Sequence, residues 1–114
     1  MTVQLQSGDD TGALSNAWKA IELQEGLYAI DPRAVPTRIN LADYYGRLGA
    51  VQAALGNKAT ARKARQDRLE GALAAYRRAD SLYDSLRNEG LLKASDLTAD
   101  AAKVHDAIMR LTRP

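Results

Sequence analysis

Few side chains in this sequence have types and spacings that could carry chemistry. His105 is the only histidine, with Asp100 and Asp106 close by in the chain. An imidazole beside carboxylates can ligate a transition metal or move a proton. A metal site needs three or four ligands at set spacing, and no cysteine or second histidine accompanies this one, so His105 reads as a surface or packing residue. Ser81 and Ser85 could act as nucleophiles only beside a general base; without one they read as polar helix surface. The absence of Cys excludes a disulfide framework, a thiolate zinc site and a cysteine nucleophile. The expectation is a non-catalytic chain with no cofactor.

The other candidate chemistry is anion binding. Net charge is only +2, but residues 1–54 carry 4 basic and 6 acidic groups, whereas residues 55–114 carry 12 and 8. The excess lies in Lys58, Arg62, Lys63, Arg65, Arg68, Arg77 and Arg78, against Asp67 and Glu70. Nucleic-acid binding wants a coherent basic stripe, often with stacking aromatics. At about 100° per residue Lys58, Arg62 and Arg65 cluster while Lys63 and Arg68 point elsewhere, and no aromatic precedes Tyr76 in the run. A solvated helix face, with Arg62 and Arg65 able to meet an acidic partner, fits better than a nucleic-acid footprint.

The elements that must position these residues are helical. Hydrophobic residues make up 46% of the chain, too many for a disordered tail, but Phe is absent and Ala is abundant. Ala favours helix, permits close helix approach and buries little area, which suits stacked helix pairs better than a large globular core. No apolar run approaches the roughly 18 residues of a membrane span, and the start lacks the charge and apolar stretch of a signal peptide. These features fit a cytoplasmic location with no membrane contact.

Four helices are expected. The first spans about 11–30, with Asp9, Asp10 and Thr11 at its start, Leu14, Ala17, Ile21, Leu27 and Tyr28 on its apolar face, and Asp31-Pro32 as its stop. The second spans about 36–55, with Pro36 in the first turn and a stripe of Ile39, Ala42, Tyr45, Leu48, Val51 and Leu55; Gly56 is expected to end it in the left-handed conformation. The third spans about 60–88, with Leu69, Ala72, Leu73, Tyr76, Ala79, Leu82, Tyr83 and Leu86 inward and Asn88-Glu89-Gly90 as its stop. The fourth begins near Thr98, read as an N-cap, and carries Val104, Ile108 and Leu111.

The strongest pattern is internal. Residues 12–27 align with residues 71–86 at an offset of 59, with 6 of 16 positions identical. The identities are Gly, Ala, Leu, Ala, Leu and Leu, the small and apolar positions that set helix packing. Tyr45, Leu48 and Gly49, followed by Gly56, and then Ala72, Tyr76 and Ala79, resemble the two helices of a tetratricopeptide repeat. Ala13, Ala17 and Ala20 resemble the second helix of a preceding repeat, with Gly8 at its turn and Pro32 as its closing Pro. The family places 5 residues between turn Gly and first Ala, whereas Gly56 and Ala72 are 16 apart, so an 11-residue insertion is expected near 57–67. The Gly-Ala-Leu-x-x-Tyr-Arg-x-Ala segment and the tail 81–92 resemble the C-terminal repeats of large bacterial serine/threonine protein kinases, although no kinase motif is present.

The resemblance implies an all-α fold of antiparallel helix pairs. It divides the chain into a repeat remnant over 1–32, a complete repeat over 33–90 and a C-terminal capping helix over 91–114. It implies packing roles for Ala13, Ala20, Tyr45, Leu48, Gly49, Gly56, Ala72, Tyr76 and Ala79, and a groove lined by Asp43, Gly46, Ala50, Ala53 and Ala54, small and nearly uncharged. It implies a protein or peptide partner, with Trp18, Asp43, Tyr44, Arg62 and Arg65 as candidate contacts. The alternative is a purely structural solenoid cap. Val3 and Leu5 read as the residue of an incomplete first helix, so self-association through the N-terminal helix face is also expected.

Overall fold

The computed structural model describes residues 10–113, all-helical with short connections: α1 (Asp10–Ile30), α2 (Val35–Lys58), α3 (Arg62–Asn88) and α4 (Ser95–Thr112). Gly8, Asp9, Val3 and Leu5 lie outside the described residues. No helix is long and apolar enough to cross a membrane.

The helix ends follow from local chemistry. Asp31 closes α1: its N–H donates to the Leu27 carbonyl (3.0 Å) and its carboxylate accepts from the Arg33 N–H (3.2 Å). Pro32 follows, where it cannot donate to a continuing helix. Pro36 sits in the first turn of α2, where its missing N–H is not needed. Gly90, at φ +74°, stops α3. The Leu91 N–H reaches back to the Leu86 carbonyl (2.9 Å) and the Gly90 N–H to Arg87 (3.0 Å), the paired bonds of a Schellman end.

Two expected ends are corrected. Gly56 does not terminate α2; it is helical and buried, and α2 runs two residues further to Lys58. A Cβ on Gly56 would meet the Leu69 side chain at 3.0 Å, so this glycine permits close approach of α3 rather than a left-handed turn. Residues 57–67 are the end of α2, a three-residue link and the first turns of α3. Thr98 is not the N-cap of α4; that position is Ala94, and the Thr98 Oγ1 donates to the Ala94 carbonyl (3.2 Å) from inside the helix. Ala34, Ala61 and Ala94 all stand at N-caps without a side-chain bond. Alanine is a poor cap, so these helices depend on packing.

The packing is sequential, with α1 on α2, α2 on α3 and α3 on α4. Along α2, Arg38, Gly49 and Gly56 meet Glu89 just past the end of α3 and Tyr76 and Leu69 within it; partner numbers fall as those on α2 rise, so the two helices are antiparallel. The smallest extent is 22 Å, two helix diameters. The core comprises Ile21, Leu41, Ala42, Leu48, Ala75, Ala79, Leu82, Tyr83, Leu86, Ala101 and Val104, with Leu14, Ala17, Tyr28, Ile39, Tyr44, Tyr45, Tyr76 and Ile108 packed at its edge. Leu41 and Leu86 are fully buried; truncating either to Ala would cost about 2–5 kcal/mol. Leu27 departs from its expected place and is exposed.

Arg38 fastens the far ends of α2 and α3. It is only 4% exposed, and its guanidinium donates to Glu89 Oε1 (3.2 Å), Ser85 Oγ (3.3 Å) and the Arg33 carbonyl (3.1 Å), with a further bond to Glu89 Oε2. Arg38 holds the Glu89 carboxyl below the usual carboxylate range, chiefly through this hydrogen bonding. Ser85 thus has a structural place.

Candidate protein-binding groove

A groove runs between α2 and α4 over the body of α3. One part, an open cavity of about 330 Å³, is lined by Asp43, Gly46, Arg47 and Ala50 of α2, Tyr76 and Tyr83 of α3, and Asp100, Lys103, Val104, Ala107 and Arg110 of α4. It continues past Ala53 and Asn57 towards Leu111. Small residues make the space: a Cβ on Gly46 would meet Val104 at 3.4 Å, and one on Gly49 would meet the Tyr76 ring at 2.7 Å. Gly49 therefore lets Tyr76 seat close against α2.

Four of the five expected groove positions, Asp43, Gly46, Ala50 and Ala53, line this space. The expectation of a nearly uncharged surface is corrected. Arg47 comes from α2, and Asp100, Lys103 and Arg110 come from α4, which supplies a second wall. The available signal was the spacing of Asp100, Lys103 and Arg110 on a side of the fourth helix flanking its apolar positions. Tyr83 is the deepest polar group at the groove, and burial, with Asp100 and Asp43 facing it, pushes its phenol up to about 12. Asp43 also pairs with Arg47 at 3.1 Å.

The remaining candidates separate. Tyr44 packs at the core edge with the Arg47 guanidinium 5.9 Å from its ring centre. Trp18 is exposed on α1. Arg62 and Arg65 rim a different hollow with Leu69, Leu73 and Leu111, and Arg65 donates to the Ala59 carbonyl (3.1 Å). Of the packing residues, Leu48, Gly49, Gly56, Ala72 and Ala79 are buried, while Ala13, Ala20, Tyr45 and Tyr76 are half-buried. Tyr45 donates to Glu25 (2.9 Å), and Arg78 lies 5.7 Å from the Tyr28 ring centre and 5.9 Å from that of Tyr45.

The basic run does not form one surface. Lys63 pairs with Asp67 (2.9 Å), Arg68 donates to Gln52 (3.2 Å) and Arg78 faces Glu25 (3.7 Å). His105 is exposed, its Nδ1 4.0 Å from Asp80. Among the described residues no group of three or more His, Cys, Asp or Glu could hold a metal ion.

No family model matches the chain, and no curated protein or solved structure matches it either.

Proposed function

We propose that this chain is a tetratricopeptide-type helical module that binds a protein or peptide segment in the α2–α4 groove and performs no catalysis. The observation that carries the reading is the groove itself: small residues on α2, an aromatic floor from α3 and charged rims from α4. Concave surfaces between stacked helices suit an extended ligand. The dispersal of the basic run among internal partners favours this reading over nucleic acid. The test is heteronuclear NMR of the labelled protein with a pool of random hexapeptides. Shifts confined to the groove, Ala50, Ala107 and the Tyr76 ring among them, are expected; the absence of any groove shift at millimolar peptide counts against it.

A second reading rests on α1. Among the described residues the exposed large apolar side chains are Trp18, Leu23, Leu27, Ile30, Leu91 and Met109, four of them on one helix. At about 100° per residue Leu23, Leu27 and Ile30 share the side of α1 opposite Ile21. Such a stripe supports self-association through α1. Sedimentation equilibrium is expected to show a dimer that Leu23→Gln/Leu27→Gln dissociates; a monomer at high micromolar concentration would exclude it.

A further inference from the structure

The charges of the groove are ordered along its length. Asp43 and Asp100 stand at one end, beside Tyr83. Arg47 and Lys103 come one turn further along their helices, and Ala50, Ala107 and Tyr76 follow with an uncharged surface. Arg110 closes the series beside Asn57. Asp106 and Arg113 lie outside it, around an adjoining hollow shared with Lys103 and Arg110. Asp100 precedes Lys103 by three residues and Arg110 by ten; at a rise of 1.5 Å those are about 4.5 Å and about 15 Å along α4. An extended peptide advances about 3.3 Å per residue. The same span is therefore between about four and five peptide residues, with the first cation about one and a half residues from the acidic end and the second about three beyond it.

We propose that the groove selects an extended peptide by the order of its charges: a basic side chain at Asp43 and Asp100, a carboxylate at Lys103, an apolar side chain over Ala50, Ala107 and Tyr76, and a second carboxylate at Arg110. Asp43 and Arg47 already face each other at 3.1 Å, so each contributes less to its site, and Asp100 and Lys103 lead there. Lys103 and Arg110 have exposed side chains on the rim, where a ligand carboxylate reaches them without burying an unpaired charge. Opposite-sign charge at the far end repels a uniformly acidic segment, so selection works by exclusion as well as attraction. This inference rests on the peptide-binding reading above and adds the chemistry of the partner.

The test uses three labelled hexapeptides in fluorescence anisotropy at low salt. The first has the order lysine-glycine-glutamate-leucine-serine-glutamate. The second has the same composition with lysine between the glutamates, an order wrong in either chain direction. The third replaces lysine and both glutamates by glutamine. The first is expected to bind at least about fivefold more tightly than the others, with the advantage shrinking as salt screens it. Lys103→Gln and Arg110→Gln each weaken it about one-and-a-half- to fivefold, as expected for exposed charge contacts. Asp100→Lys weakens it as well, and exchanging the peptide's lysine for glutamate restores binding to that variant. Equal affinity for the first two peptides, with NMR shifts at Ala50 and Ala107 for both, overturns the charge-order inference and leaves the peptide-binding reading standing. No groove shift with any of the three or with the random pool overturns both.

Discussion

Gly49 of α2 and Tyr76 of α3 are in such close contact that a single added methyl group at Gly49 would lie 2.7 Å from two carbons of the ring. The pair joins core to groove, because Tyr76 is also floor. Gly49→Ala gains up to about 1 kcal/mol of helix propensity but forces the ring to move, at about 1–3 kcal/mol for overpacking. The expected outcome of a thermal melt is net destabilisation, smaller in a Tyr76→Leu background than alone. A gain in stability would mean that the ring moves freely.

Gly26 is the contrasting case. It lies inside α1, is exposed, and a Cβ there would meet nothing within 4 Å. Gly26→Ala is expected to stabilise the protein by about 0.5–1 kcal/mol, since only propensity changes. Chemical denaturation with an unchanged slope and a raised midpoint is the signature.

Ala94 has the extended backbone of an N-cap, φ −67° and ψ 136°, and is exposed. An Asp or Ser there can accept from the free N–H groups of the first turn of α4. Ala94→Asp is expected to raise stability by about 1 kcal/mol, read by urea denaturation. No change would mean that α4 is held entirely by its packing on α3.

The Arg38–Glu89 contact predicts acid sensitivity. The Glu89 carboxyl titrates below its ordinary value of 4.5 in the folded chain, so the unfolded chain takes up this proton first. Its contribution is fully present above pH 4.5 and is lost as pH falls through the lower native value. Glu89→Gln is expected to lower stability at pH 7, because Arg38 stays buried without a counter-charge, and to flatten the acid limb of stability against pH. An acid limb unchanged by the substitution would assign it to other carboxylates.

The α1 stripe makes a prediction of opposite character. Leu23 is 66% and Ile30 82% exposed, so in a monomer Leu23→Gln leaves stability within about 0.5 kcal/mol, as for an ordinary surface change. A concentration-dependent melting temperature that this substitution abolishes would tie the stripe to dimer formation.

The local grammar of the fold is legible in the sequence. Pro32 and Gly90 punctuate because one lacks an N–H and the other tolerates positive φ, and both effects act within a few residues. The inward stripe of α3 was likewise readable, since Ala72, Ala79, Leu82, Tyr83 and Leu86 recur at helical spacing and all are buried. The small positions at Gly49, Ala72 and Ala79 marked where helices approach.

Tertiary structure alone decided what depends on how many neighbours a helix has. α2 lies between α1 and α3, so it buries Thr37, Arg38 and Leu41 along with Ala42 and Leu48, while Ile39, Tyr45, Val51 and Leu55 of the expected stripe are only half-buried; a charged residue's burial rests on Glu89, 51 positions away. Gly56 looked like a terminator because a helix-ending glycine and a helix-crossing glycine are the same residue, and only the arrival of Leu69 distinguishes them. Leu27 looked buried by period and is exposed because no described helix covers that side of α1. The charged wall of the groove belongs to this second class. Periodicity places Asp100, Lys103 and Arg110 beside the apolar face of one helix, but only the packing of α4 on α3 brings them opposite Asp43 and Arg47 across a shared space.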